Sequence, residues 1–390
     1  MNPIHLTLLV SVVAFSGITA ARVQLSLYAL DLGATSSQVG LLLGSYFVFP
    51  LLLSWPIGRW ADRVGSRGLL TLGLAAGGIG MTIPYFVHKL YALYVAGSLM
   101  GLSFAFASVL LLNVMGLLSK PEERARNFAN NSLMGALSNV LGPLIAGFAI
   151  DHIGQAEASL FSAAFYLAAL AMLALWGGAW PGGSGGRHAS ARSSLRERLS
   201  DGVAVKIILV SCVVQMGADL FSLYVPILGH SLGFSASTIG GILASFFAAV
   251  CVARALMPQL IRKLGEQHLL TYAQYVAAAG FALLALLEHP LALGLVAFAF
   301  GLGMGCTQPL TMMMLFNRAP EGRSGETVAL RQTANNVVRV IAPPVFGAIA
   351  AVTGLWGVFL LSGLLMGAGG WASRGGIVGE AKSPEPGQPH

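Results

Sequence analysis

Four arginines and one aspartate stand inside long apolar stretches of this chain: Arg22, Arg254, Arg331, Arg339 and Asp219. A charge at the centre of a membrane helix costs about 2.5–3.5 kcal/mol even on insertion-based scales. Such residues are therefore expected to pair with one another or to meet water and a solute. Gln215, Asp219 and Ser222 recur at i, i+4 and i+7, which puts them on one face of a helix. Thr19, Arg22 and Ser26 share a face in the same way, and Arg331, Asn335 and Arg339 make a slowly drifting stripe. Asn127, Asn131 and Ser138 form another, and Gln308 with Thr311 a shorter one. Together these stripes outline an aqueous cavity of net positive charge, suited to an anionic or zwitterionic solute. Arg339 is the preferred anion ligand, because a guanidinium can grip a carboxylate or phosphate in two places. Arg331 and Arg254 lie nearer helix ends, where they can snorkel or close a gate. Phe15, Tyr46, Phe246 and Phe247 could hold an apolar part of the solute, although packing is the commoner duty for any single aromatic.

Those residues need elements to position them, and composition says what kind. The chain has 390 residues, 56% hydrophobic and only 9% charged, against about 25% charged in a soluble domain. Its apolar runs repeatedly exceed the roughly 18–20 residues that cross a bilayer as helix. An all-α integral membrane fold follows, with spans at 5–30, 39–60, 69–88, 91–117, 127–150, 159–180, 206–229, 238–261, 268–287, 291–316, 327–353 and 355–373. The even-numbered connections carry the basic residues, among them Arg59, Arg63, Arg67, Lys120, Arg124 and Arg126, while Lys89 is the one basic residue in an odd-numbered connection. By the positive-inside rule both termini are expected in the cytoplasm, here of a bacterial inner membrane. The net charge of +7 is thus a topology signal, and no nucleic acid partner is expected. The start, MNPIHLTLLVSVVAFSGITAA, lacks the basic region of a signal peptide and reads as a retained first helix. Cys212, Cys251 and Cys306 are scattered through spans and fit small packing residues better than a metal cluster.

The polar stretch PGGSGGRHASARSSLRERLSDG divides the chain into halves. The expected organisation is a six-helix bundle over 1–180, a linker over 181–205 with one short surface helix around Leu195 and Leu199, a second bundle over 206–373, and a disordered cytoplasmic tail over 374–390. An internal repeat at an offset of 200 relates the halves. GRWADRVGSR, from Gly58 to Arg67, has a worn copy in PQLIRKLGEQ, from Pro258 to Gln267, so that Gly65 matches Gly265 and Arg63 matches Lys263. LGATSSQVG from Leu32 likewise matches LGFSASTIG from Leu232, and GPLIAG from Gly142 corresponds to PPVFGA from Pro343.

With these motifs the chain resembles the major facilitator superfamily over nearly its whole length. Gly58, Asp62, Arg63, Gly65 and Arg67 match that family's loop signature, and Ser66 replaces one basic position. The resemblance implies twelve helices in two pseudo-symmetric bundles that alternate access to a midplane site, with the first and seventh helices lining the cavity. Within that frame Arg22 and Asp219 are expected to approach each other, directly or through water, in at least one state, and Asp219 to couple protons. Asp62 is expected to face the N-terminus of the eleventh helix near Glu326 to Val328, whose dipole favours an anion, and to close the cytoplasmic gate. Gly142, Pro143 and Gly147 resemble an efflux-type motif, in which Ala129, Ser138 and Ala146 replace glycines. The arginine that proton-coupled drug exporters of the family carry in the fourth helix is missing around Gly97, Met100 and Gly101. There is no P-loop, HExxH, Ser-His-Asp set, or haem or flavin motif, so no enzyme and no cofactor are expected. The expectation is a monomer that exports a small amphipathic or anionic molecule, driven by an ion gradient, with protons as the ion. Uptake of an anionic metabolite or siderophore-like chelate is the alternative.

Overall fold

The computed structural model describes residues 2–120, 123–180, 202–318 and 324–374, with main chain alone at 124, 125, 129, 179, 316–318 and 324–329. Helices α1 (Pro3–Asp31), α2 (Ser36–Val64), α3 (Ser66–Phe86), α4 (Leu90–Leu118), α5 (Arg124–Ile153) and α6 (Gln155–Trp176) come first. After them run α7 (Gly202–Ser231), α8 (Ala236–Leu264), α9 (Glu266–Leu284) and α10 (Pro290–Arg318). The final stretch, Ser324–Arg374, breaks at Gly354, where φ is 71° and ψ −176°; its parts are α11 (324–353) and α12 (355–374). Among the described residues, ten helical stretches are long and apolar enough to cross a membrane, with α11 and α12 running as one of them and α9 excluded. The expected linker, with the Leu195–Leu199 helix, and the tail beyond 374 lie outside the described residues.

The turns explain why the helices begin and end where they do. Every positive-φ residue described is a glycine, and the six form three pairs 200 positions apart: Gly33 with Gly233, Gly65 with Gly265, and Gly154 with Gly354. A side chain at such a φ would strain the backbone, so the repeat is written in main-chain geometry as well as in side chains. Thr35 and Gln38 cap α2 reciprocally, and Ser235 accepts the Thr238 N–H at the start of α8.

Helix α1 packs on α4, α5 and α6, and α3 on α4 and α6. In the later part α8 packs on α10, while α7 and α9 pack on α10 and the α11–α12 stretch. Contacts between the two groups run through α2 against α11–α12, α5 against α8, and α1 against α7. The periphery is apolar: Val352 is 87% exposed, Trp371 74% and Leu291 73%. In a membrane protein that surface meets hydrocarbon, which is why the mean hydropathy reaches +0.76.

Candidate substrate and coupling site

Helices α7, α10 and α11 bring most of the expected site residues into one continuous polar chain. Ser211, Gln215 and Asp219 follow one another at i, i+4 and i+8 along α7, so all three turn toward α10 and α11. Arg339 Nε pairs with Asp219 Oδ2 at 3.1 Å, and the two side chains are 20% and 10% exposed. The Arg339 guanidinium also lies over the Phe47 ring, 5.2 Å from its centroid. Gln215 Nε2 donates to the same Asp219 oxygen at 2.7 Å, and Gln308 Nε2 donates to Gln215 Oε1 at 3.0 Å. Arg331 Nη2 donates to Gln308 Oε1 and, at 3.3 Å, to Thr311 Oγ1. Arg331 Nε donates to Ser211 Oγ at 2.8 Å, which also accepts from Asn335 Nδ2 at 3.3 Å.

One expectation about these arginines needs correction. Arg331 neither snorkels nor stands at a helix end; it is 6% exposed and enclosed by neutral acceptors from α7 and α10. The reason is register: α11 begins at residue 324, so Arg331 already points inward two turns into the helix. Asp219, in turn, pairs with Arg339 in this conformation, and no ion pair joins it to Arg22 among the described residues. Arg22 is half-buried, and the Tyr46 phenol lies within electrostatic reach of Arg22, Arg339 and Asp219 together. Arg254 is exposed and donates weakly from Nε to the Gly305 carbonyl at 3.4 Å.

The polar residues of α5 do something other than line a cavity. Ser138 Oγ donates to the Val12 carbonyl at 3.2 Å, Thr19 Oγ1 to the Ser138 carbonyl at 2.9 Å, and Ser11 Oγ to Asn131 Oδ1 at 3.1 Å. They sew α5 to α1, and Asn127 turns to Ser119 of the preceding connection at 2.9 Å. Gly142 is part of the same seam, since a side chain there would collide with Thr19. Phe246 is 2% exposed among Phe221, Phe247 and Phe300, which is packing. Phe15, Tyr46, Phe47 and Phe104 form the aromatic wall beneath Arg339. Sequence reasoning passed over Ser211 and Phe47; the first was legible at i−4 from Gln215, the second only once α2 is docked.

At the end away from the basic loops the two helix groups meet closely. A Cβ on Gly40 would strike the Pro343 carbonyl, and one on Gly240 would strike the Pro143 carbonyl, so the two seams repeat at the same 200-residue offset. Asp151 accepts the backbone N–H groups of Ala236 at 2.9 Å and Ser237 at 2.8 Å, a carboxylate set on the N-terminus of α8. Beside it Asp31 lies 2.9 Å from His230 Nε2 and accepts from Gln155 Nε2 at 2.6 Å.

At the opposite end, Gly65 makes the α2–α3 turn and Arg67 Nη2 donates to the Ala174 carbonyl at 3.3 Å. Arg63 is exposed and Asp62 half-buried. At Gly58 nothing lies within 4 Å of where a Cβ would be, because α2 faces open space there in this conformation. Around Glu326 to Val328, where Asp62 is expected to meet the dipole of α11, the main chain alone is described.

An apolar helical exterior around a buried polar chain, shared here by α7, α10 and α11 of the later helix group, is the make-up of a membrane transport protein. The family model described as Major Facilitator Superfamily matches residues 7–343, and the chain belongs to that family. It is 25% identical over 350 residues to the multi-drug resistance efflux pump PmrA of Streptococcus pneumoniae, covering 86% of each chain. To the multidrug resistance protein MdtG of Klebsiella pneumoniae it is 24% identical over 354 residues, covering 87% of this chain and 84% of MdtG. Among solved structures, the nucleoside transporter NupG superposes with a TM-score of 0.82 at 10% identity, covering 96% of this chain and 99% of NupG. A POT family transporter in complex with 5-aminolevulinic acid gives 0.80 at 14% identity, with 94% of each chain covered.

Proposed function

We propose that this protein is a proton-coupled exporter of small amphipathic compounds, anionic or zwitterionic, and that Asp219 carries the coupling proton. The observation that supports it most is the pairing of Asp219 with Arg339 between α7 and α11, inside the protein and still in partial contact with solvent. A carboxylate so placed can exchange its arginine for a proton as the surroundings alternate, and the freed Arg339 can then hold the anionic group of a solute. Arg22, half-buried and electrostatically near Tyr46, supplies a second positive wall from α1. The names of the relatives, the multi-drug resistance efflux pump PmrA and the multidrug resistance protein MdtG among them, support efflux of drugs.

On this reading α9 and the split at Gly354 complete twelve spans, arranged as two bundles over 1–180 and 206–373 joined by the 181–205 linker. The chain works as a monomer in a bacterial inner membrane with both termini cytoplasmic. The glycine seams and Asp151 then hold the outward end shut, and the Gly58–Arg67 loop belongs to the gate at the other end, with Asp62 on the dipole of α11.

The test is transport by the full chain in liposomes, with tetracycline and a quinolone as probes, chosen because relatives are named for resistance to them. Export predicts probe movement against an imposed proton gradient, with protons moving the opposite way. Asp219→Asn should abolish the proton dependence. A variant that still moves probe with unchanged proton dependence would sink the assignment.

A further inference from the structure

The polar chain has a direction, and it is set at the end far from Asp219. Arginine offers five N–H donors and no acceptor. Gln308 must therefore present its Oε1 to Arg331, which leaves its Nε2 to face Gln215. Gln215 can receive that donor only with its own Oε1, which leaves its Nε2 facing Asp219 Oδ2. Which way a glutamine amide points is ordinarily an assignment; here a donor-only residue at one end dictates both amides. The far end thus delivers a donor to the carboxylate and favours its ionised form.

We infer that Arg331 is a positioning residue for Asp219, acting through Gln308 and Gln215 to fix the carboxylate as an acceptor. The inference rests on the reading of Asp219 as the coupling residue and adds a part of the machine that does not touch solute or proton. Without the anchor the two amides are free to turn. Gln215 can then offer Oε1 to Asp219, and only a protonated carboxyl makes a hydrogen bond to it. The wire also accommodates a buried arginine with no carboxylate beside it among the described residues: Nε and Nη2 reach Ser211, Thr311 and Gln308, and Nη1 turns to Met312 Sδ at 3.5 Å.

Other charges face the same carboxylate and must be held constant in any test. From α11 there is Arg339, from α1 Arg22, and from α2 the Tyr46 phenol. Helix α10 presents Gln308, while its Cys306 Sγ is turned to the Ala253 carbonyl. On α8, Arg254 is engaged with the Gly305 carbonyl. The deciding variant is therefore one that changes no charge and does not touch Asp219: Gln308→Met.

The measurement is an infrared difference titration of the full-length purified protein, with the Asp219 carboxyl band identified by its loss in Asp219→Asn. Gln308→Met should move the midpoint of that band upward by about one pH unit, a tenfold change in the proton equilibrium. Arg331→Lys, which keeps the charge and the donor-only chemistry, should stay near wild type; Arg331→Met should shift upward. Should Arg331→Met fail to fold, Gln308→Met and Arg331→Lys still decide. A through-space effect of the arginine charge predicts no shift in Gln308→Met, and that result overturns the relay. Loss of the proton dependence of transport in Asp219→Asn, with no shift in Gln308→Met, would sink the relay and leave the coupling assignment standing. Proton dependence that persists in Asp219→Asn would remove both.

Discussion

Asp219 is the residue on which most of the chemistry converges, and its energetics follow from having two donors on one oxygen. Breaking a buried ion pair by removing one partner can cost about 3–5 kcal/mol, because a charge is left behind without its counter-ion. Here both side chains keep partial solvent contact, so the cost should fall below that range. Arg339→Met is predicted to lower the unfolding temperature by several degrees, and Asp219→Asn in the same chain to restore most of it, as read by thermal unfolding of the purified protein. Non-recovery in the double variant would mean that the destabilisation comes from lost packing of Arg339 on Phe47 rather than from the stranded charge. The spacing rules found this cluster because the helices are regular: i, i+4 patterns on α7 and α11 survive into the fold. They did not single out Arg339 as the partner of Asp219 in this conformation. Arg22 and Asp219 are both near mid-helix in the sequence, but which arginine reaches the carboxylate depends on how α11 is rotated, and no one-dimensional pattern encodes that.

The elements carry their own test in the two glycines of the signature loop. Gly65 stands at φ 86°, where a Cβ is strained by about 1–3 kcal/mol. Gly58 sits inside α2 with open space around it, where alanine favours a helix by about 1 kcal/mol. Gly65→Ala should therefore destabilise the protein and Gly58→Ala stabilise it slightly, a contrast that thermal unfolding would resolve. If Gly58→Ala nonetheless stops transport, the glycine is needed in the other conformer, where α2 closes. A second element-scale outcome concerns α8: Gly240→Val should collide with the Pro143 carbonyl and hold the Asp151 end open. Labelling of a cysteine placed at Ala236, buried in the seam against Gly147, by a membrane-impermeant maleimide should then rise well above that in the Gly240 parent, and equal labelling would refute it. The repeat was legible where side chains had kept it, as at Gly65 and Gly265. It was hard to see at Gly154 and Gly354, where the adjoining residues differ and the kinship lies in one glycine and its φ.

At the scale of the whole molecule, composition and charge placement were enough for an apolar all-helical membrane protein, and the Gly58–Arg67 signature carried the resemblance to its family. What they left out is the docking of one helix group on the other, because each seam joins residues some 300 or about 100 positions apart through backbone atoms. Topology is a separate matter of charge. With the basic residues concentrated at one set of connections, a green fluorescent protein fused after His390 should fluoresce in the host and alkaline phosphatase fused there should be inactive. The reverse pattern would invert the assignment of every gate.

The paired glycine seams have a mechanical consequence. Two bodies touching at one point can tumble about it in any direction, whereas two bodies touching at two separated points retain only rotation about the line that joins them. Gly40 on the Pro343 carbonyl and Gly240 on the Pro143 carbonyl are two such points. On the alternating-access reading, they leave the halves a single axle at the shut end, and opening the far end becomes a swing with one degree of freedom instead of a general loosening.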